Sequence, residues 1–154
     1  DPTQTEWNNP YFLANEINNG FERNRFYGNV KADWQITEDL SGMVRYNFDE
    51  VNEVRETKVS NGYTNEINGA YGITDIFRNE TNIDFLLTYA KKLNNWDFSA
   101  SFGGNRRVNR TSQVTNATKN SGQGLLTPNL FNLSNISPEN LNYTSYQTEK
   151  QVRK

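Results

Sequence analysis

The chain of 154 residues contains no cysteine, so neither a disulfide framework nor a thiolate metal site is available to it. It contains no histidine either, which removes imidazole metal sites, Ser-His-Asp and Cys-His catalysis and the usual physiological-pH switch. Paired carboxylates survive these absences. The acidic neighbours Glu38-Asp39 and Asp49-Glu50, however, point to opposite faces of a strand and cannot flank one bond. We therefore expect no enzyme activity, no cofactor and no metal. The formal net charge is −2, without the basic excess that neutralises a phosphate backbone, and nucleic acid is not an expected partner. No run of about 18 apolar residues is present to form a spanning helix. The opening Asp1-Pro2-Thr3-Gln4 does not read as a signal peptide. A transmembrane β-barrel is untouched by these absences, because its strands carry only alternating hydrophobicity.

What the chain does have is aromatic residues, at 13%, in a sequence only 34% hydrophobic. Disordered chains are depleted in aromatics, so the combination points to β-structure with one wet face. From Arg25 to Ile36 the even positions are Phe26, Gly28, Val30, Ala32, Trp34 and Ile36; the odd ones are Arg25, Tyr27, Asn29, Lys31, Asp33 and Gln35. Side chains along a strand alternate in direction, so this segment offers one apolar and one polar face. After Thr37-Glu38-Asp39 the pattern resumes, with Leu40, Gly42, Val44, Tyr46 and Phe48 against Ser41, Met43, Arg45, Asn47 and Asp49. The short polar link predicts an antiparallel hairpin. A second hairpin is predicted over 82–93 and 96–105 around Asn94-Asn95, with Ile83, Phe85, Leu87, Tyr89, Trp96, Phe98, Ala100 and Phe102 on the apolar side. Leu86 is the one clear exception on the polar side of this hairpin.

Each predicted strand is about as long as a tilted strand crossing a bilayer. Between them lie Asn-, Thr-, Ser- and Gly-rich stretches, about Glu50 to Thr81 and about Arg106 to Tyr143, which read as long loops. Short turns at one end and long loops at the other is the organisation of outer-membrane barrels, with the turns periplasmic. Trp34 and Trp96 lie near the turns, where an aromatic belt meets lipid headgroups. A soluble secreted β-sandwich that binds carbohydrate also fits alternating strands with polar loops, its apolar faces packed on each other.

Three local phrases carry a resemblance. Asn9-Pro10-Tyr11-Phe12-Leu13-Ala14-Asn15-Glu16 with Arg23-Asn24-Arg25-Phe26-Tyr27-Gly28-Asn29-Val30, then Asn82-Ile83-Asp84-Phe85-Leu86-Leu87-Thr88-Tyr89 with Phe98-Ser99-Ala100-Ser101-Phe102-Gly103-Gly104-Asn105, then Pro128-Asn129-Leu130-Phe131-Asn132-Leu133-Ser134-Asn135, resemble runs in the barrel of SusC/RagA-type TonB-dependent transporters. Ala90 and Thr127 depart from it, standing where Asn and an apolar residue are frequent. The resemblance implies an all-β, antiparallel transmembrane segment, residues 1–154 forming part of one barrel domain. The whole would be a 22-stranded barrel closed by a plug that lies outside these residues. It implies import of large nutrients, oligosaccharides or peptides, across the outer membrane, with a SusD-like surface lipoprotein at the mouth and the TonB complex supplying energy.

Sugar recognition combines aromatic planes with amides and carboxylates. Tyr63, Asn65, Asn68, Tyr71, Asp75 and Phe77 in the first polar stretch, and Asn116, Asn120, Asn129 and Phe131 in the second, supply those types as candidate contacts to substrate or lipoprotein. Tyr27, Lys31, Asp33, Arg45, Asn47 and Asp49 are candidate lumen-facing residues, for substrate, plug or mutual pairing within the barrel wall.

Overall fold

The structure is a computed structural model that describes residues 10–63, 66–119 and 124–154. A short helix, α1 (Pro10–Glu16), leads into β1 (Ile17–Gln35), followed by β2 (Leu40–Val59), β3 (Ala70–Leu93), β4 (Trp96–Thr118) and β5 (Leu141–Arg153). The strands form one five-stranded antiparallel sheet in the order β1-β2-β3-β4-β5. The sheet is open, with β1 and β5 as its edges. Among the described residues no helix is long and apolar enough to cross a membrane.

Both expected hairpins are present. Thr37 shapes the first turn: its hydroxyl accepts from the Leu40 amide at 3.1 Å, and its carbonyl accepts from Gln35 Nε2 at 2.6 Å. In the second turn Asn94 takes a left-handed φ of 51°, which Asn tolerates better than most residues.

The two long loops are shorter than expected. β2 continues to Val59 and β3 begins at Ala70, so Tyr71, Asp75 and Phe77 lie on a strand; β4 continues to Thr118, placing Asn116 on a strand too. Alternation of hydrophobicity fades after Asp49 and Asn105, but β-branched residues such as Val51, Val54, Thr57, Val59, Val108, Thr111, Val114 and Thr115 do not. The ladder needs only backbone and strand-compatible side chains, and both faces can be polar where neither is packed in apolar surroundings. β5 and the helix α1 carry no alternation signal of the kind used to place the other strands.

The chain divides into two compact units, each built from pieces of several strands. The first contains the described parts of Asp1–Asn24, Asn52–Ile76 and Ser112–Tyr146; the second contains Arg25–Val51, Phe77–Thr111 and Gln147–Lys154.

The first unit has a small apolar core. Tyr71, Leu125 and Ile136 are buried, with Ile73, Phe131, Leu133 and Leu141 packed around them. The segment after Gly124 is folded back on itself by asparagines. Asn135 Nδ2 donates to the carbonyls of Thr127 and Leu130 at 2.7 and 2.8 Å, and its Oδ1 accepts from the Thr127 amide at 2.9 Å. Asn140 Nδ2 donates to the Gly124 carbonyl at 2.7 Å. Gly124 has φ 78°, and a Cβ there would collide with the Gly69 carbonyl oxygen, so this close approach demands glycine.

The second unit is a sheet with two contrasting faces and no packed interior. On one face Phe26 meets Phe48 with ring centroids 5.1 Å apart, Phe85 meets Phe102 at 5.9 Å, and Tyr89 meets Phe98 at 6.4 Å. Rings also lie over glycines of the neighbouring strand. A Cβ at Gly28 would come within 2.9 Å of Phe48 Cζ, and one at Gly42 within 2.7 Å of Trp34 Cε2. These pairs fill the face along the sheet without covering it.

Candidate functional site

The apolar face of the second unit is bare. Phe26 is 69% exposed, Val30 66%, Phe98 56% and Phe102 70%, and Trp34, Val44, Tyr46, Ile83, Phe85, Leu87, Tyr89 and Trp96 are exposed as well. Single apolar residues scattered over a surface would need no explanation, but these share one face of the sheet.

The opposite face of the same unit is wet and internally paired. Arg25 grips Asp49 with two hydrogen bonds, Nε to Oδ1 at 2.8 Å and Nη2 to Oδ2 at 2.6 Å. Its guanidinium also sits 4.9 Å from the centroid of the Tyr27 ring. Lys31 and Asp33 form a salt bridge at 2.9 Å and border a recess of about 360 Å³ that also touches Met43 and Leu86. Leu86, the exception in the alternation, thus sits in a polar recess and remains exposed.

Arg45 reaches away from its hairpin partner β1 and pairs with Asp84 on β3 at 2.6 Å. Asp84 is buried and is also served by Asn82 Nδ2 at 3.0 Å and Asn105 Nδ2 at 3.5 Å. A carboxylate taken out of water needs such donors. Arg45 and Asp49 therefore point into different pairings, and Asn47 lies half-buried between them in sequence. Glu80 on β3 gathers Arg107 Nη2 at 2.5 Å and Asn109 Nδ2 at 3.3 Å. Asn82, Asp84, Asn105, Glu80 and Arg107 are site-forming residues beyond the candidates above; Asp84 was visible in sequence only as a polar position in the alternation.

In the first unit the aromatic and amide candidates fall into two groups. Tyr71 and Phe131 belong to the packed core, their ring centroids 6.3 Å apart. Asn129, at φ 61°, accepts from the Asn61 amide and donates to the Asn61 side chain, both at 2.9 Å. These three residues help to hold the core and the loop of this unit together. Tyr63 lines an open groove and Asp75 is exposed on β3; Phe77, also exposed on β3, belongs to the second unit. Asn68 and Asn116 are half-buried. Asn65 and Asn120 lie outside the described residues, as does Asn9 of the first phrase.

Two electrostatic features of this unit were not anticipated. Glu53, with a side chain 1% exposed, receives Arg55 Nε at 2.5 Å and Arg23 Nε at 2.6 Å. The hydrogen bond from Arg55, then that from Arg23, holds its carboxyl below the usual range. Tyr71 donates its hydroxyl to Glu56 at 2.8 Å. Burial, and then that bond, pushes the phenol up to about 12.

No protein-family model matches the chain, and no curated protein matches it in sequence. Among the described residues, no group of three or more His, Cys, Asp and Glu side chains is placed to hold a metal ion.

Proposed function

We propose that this chain is part of the β-barrel of a SusC-type, TonB-dependent outer-membrane transporter, with the apolar face of its second unit against lipid and the ion-paired face toward an aqueous lumen. The single observation that carries the reading is that face of exposed aromatic and aliphatic side chains backed by a predominantly polar, ion-paired one. Burying such a side chain contributes roughly 1.5–3 kcal/mol each, and a bilayer offers that burial to a whole row at once. A sandwich would need a second layer over the same face, and the described residues of this unit supply none.

The three phrases and their order support the choice among barrels. In that role the protein imports large nutrients, oligosaccharides or peptides, with a SusD-like lipoprotein at the outer mouth and TonB acting through parts of the protein beyond this chain. The open edges at β1 and β5 then pair with further strands of a 22-stranded, plugged barrel.

The experiment is fractionation of the full-length protein. It should stay with outer membranes through salt and alkaline washes, leave them only with detergent, and migrate differently on gels before and after heating. Release by salt alone, together with heat-insensitive migration, would overturn the assignment.

A further inference from the structure

A groove of about 500 Å³ in the first unit runs along Asn19 of β1, Thr57 of β2, Thr74 of β3 and Thr115 of β4, beside Tyr63 and Glu66. Glu66 is 5% exposed, and among the described residues no cation pairs with its carboxylate. Burial alone pushes its carboxyl above the usual range. The other buried carboxylates are answered: Glu53 by two arginines, and Asp84 by Arg45 and two asparagines.

Among the described residues no lysine or arginine lines the groove, and the titratable groups there besides Glu66 are Tyr63 and Tyr71. The other polar side chains that line the groove among the described residues are neutral. Thr74 and Thr115 share a hydrogen bond at 3.1 Å between their hydroxyls, which leaves each oxygen lone pairs to accept from a donor-rich ligand.

We propose that this groove binds a ligand through a primary ammonium group, with the Glu66 carboxylate as its counter-charge and the Thr74, Thr115 and Thr57 hydroxyls and the Asn19 amide as partners for the polar atoms beside it. An anionic ligand would meet the carboxylate with repulsion. A neutral polyol would supply donors but leave the buried charge uncompensated, whereas an ammonium supplies three donors and the missing charge together. The inference deepens the import reading and rests on it for the groove's place on a substrate path.

The test is calorimetric titration of the intact, detergent-solubilised transporter with two matched pairs: a glucosamine trisaccharide and its fully N-acetylated form, and triglycine and N-acetyl-triglycine. At least one free amine should bind while its acetylated partner does not, and which pair responds tells whether the amine comes from an amino sugar or a peptide. Glu66→Gln, nearly isosteric, should weaken the free amine by at least about 30-fold with unchanged heat-dependent migration. If that variant fails to assemble, the unsubstituted protein decides: affinity should rise as pH increases from about 4 to about 7 and the carboxyl ionises. Equal affinity within both pairs, no amine binding, an unaffected Glu66→Gln variant or a flat pH profile would overturn the proposal. Amine selectivity in a protein that salt releases from membranes would leave the groove standing and remove the transporter; detergent-dependent extraction without amine selectivity would do the reverse.

Discussion

Tyr71 and Phe85 are both aromatic residues on β3, fourteen positions apart in number, and their fates differ. Tyr71 is 6% exposed beneath Leu125, Ile136 and Phe131, which its own chain folds over it; Phe85 is 39% exposed and touches only its neighbours along the sheet. The first unit folds a small core over Tyr71, although Phe21, Ile67, Leu126 and Tyr143 of the same unit stay exposed. The second unit encloses none of the aromatics on its apolar face among the described residues. The polar sides differ too: the second unit spreads ion pairs over an open face, whereas in the first Glu53 takes two arginines, Glu56 takes Lys58, and Glu66 takes no cation among the described residues. One sheet thus carries both an enclosed and an open aromatic, and the difference is read from what covers each.

The comparison is broken most severely by substitutions that ignore it. Leu125→Ala removes a fully buried side chain from the first unit and should cost about 2–5 kcal/mol, as enclosed core truncations do. The loss should be the same in detergent micelles and in lipid vesicles, read by denaturant unfolding followed through tryptophan fluorescence. A harmless outcome would mean that the cluster around Tyr71 is no core.

Phe85→Arg tests the other half. Placed against hydrocarbon, the charge should cost about 2–4 kcal/mol, measured as the stability of the protein folded into vesicles of defined lipid. A substitution tolerated within about 0.5 kcal/mol, as at an ordinary wet surface, would show that this face meets water.

Tyr71 sharpens the picture through pH. Its phenol is raised from an ordinary value near 10 to about 12 in the folded unit, so folding favours the protonated form. The stabilisation is complete below pH 10 and is lost as pH rises toward 12. Tyr71→Phe should abolish this alkaline phase of unfolding, and its persistence in the variant would remove the assignment. Glu53 behaves with the opposite sign. Its carboxyl is held below an ordinary 4.5, so its contribution is present above that pH and fades as acid brings the folded carboxyl to protonation.

The smallest effect belongs to the exposed pair. Arg25 and Asp49 side chains are 53% and 37% exposed, and Arg25→Ala should cost no more than about 0.2–1 kcal/mol despite the two-pronged geometry. A larger loss in the same vesicle assay would mean that this wall is shielded from water by something beyond these strands.

Alternation made the four strand centres and both turns legible, because period-two segregation of Phe26, Val30, Val44, Phe85 and Phe98 from Arg25, Lys31, Arg45 and Asp84 needs no partner to be seen. The ends of those strands were not legible. Beyond Asp49 and Asn105 both faces are polar, the pattern has nothing to alternate, and only the ladder itself keeps Thr57 or Thr115 in a strand. The role of the Pro128–Asn135 phrase was hidden for a related reason. Asn135 is a buried cross-tie between loop carbonyls, and composition cannot distinguish that from an amide waiting for a sugar.

The sequence by itself determined that this chain makes antiparallel strands with one apolar and one polar side, since side-chain direction along a strand is local geometry. Only the tertiary structure decided which of those sides is covered, that Arg45 answers Asp84 and not β1, that Tyr71 lies inside while Phe85 lies outside, and that Glu66 is buried with no counter-charge among the described residues. Each depends on groups distant in sequence coming together, and burial and pairing energies exist only once they have met.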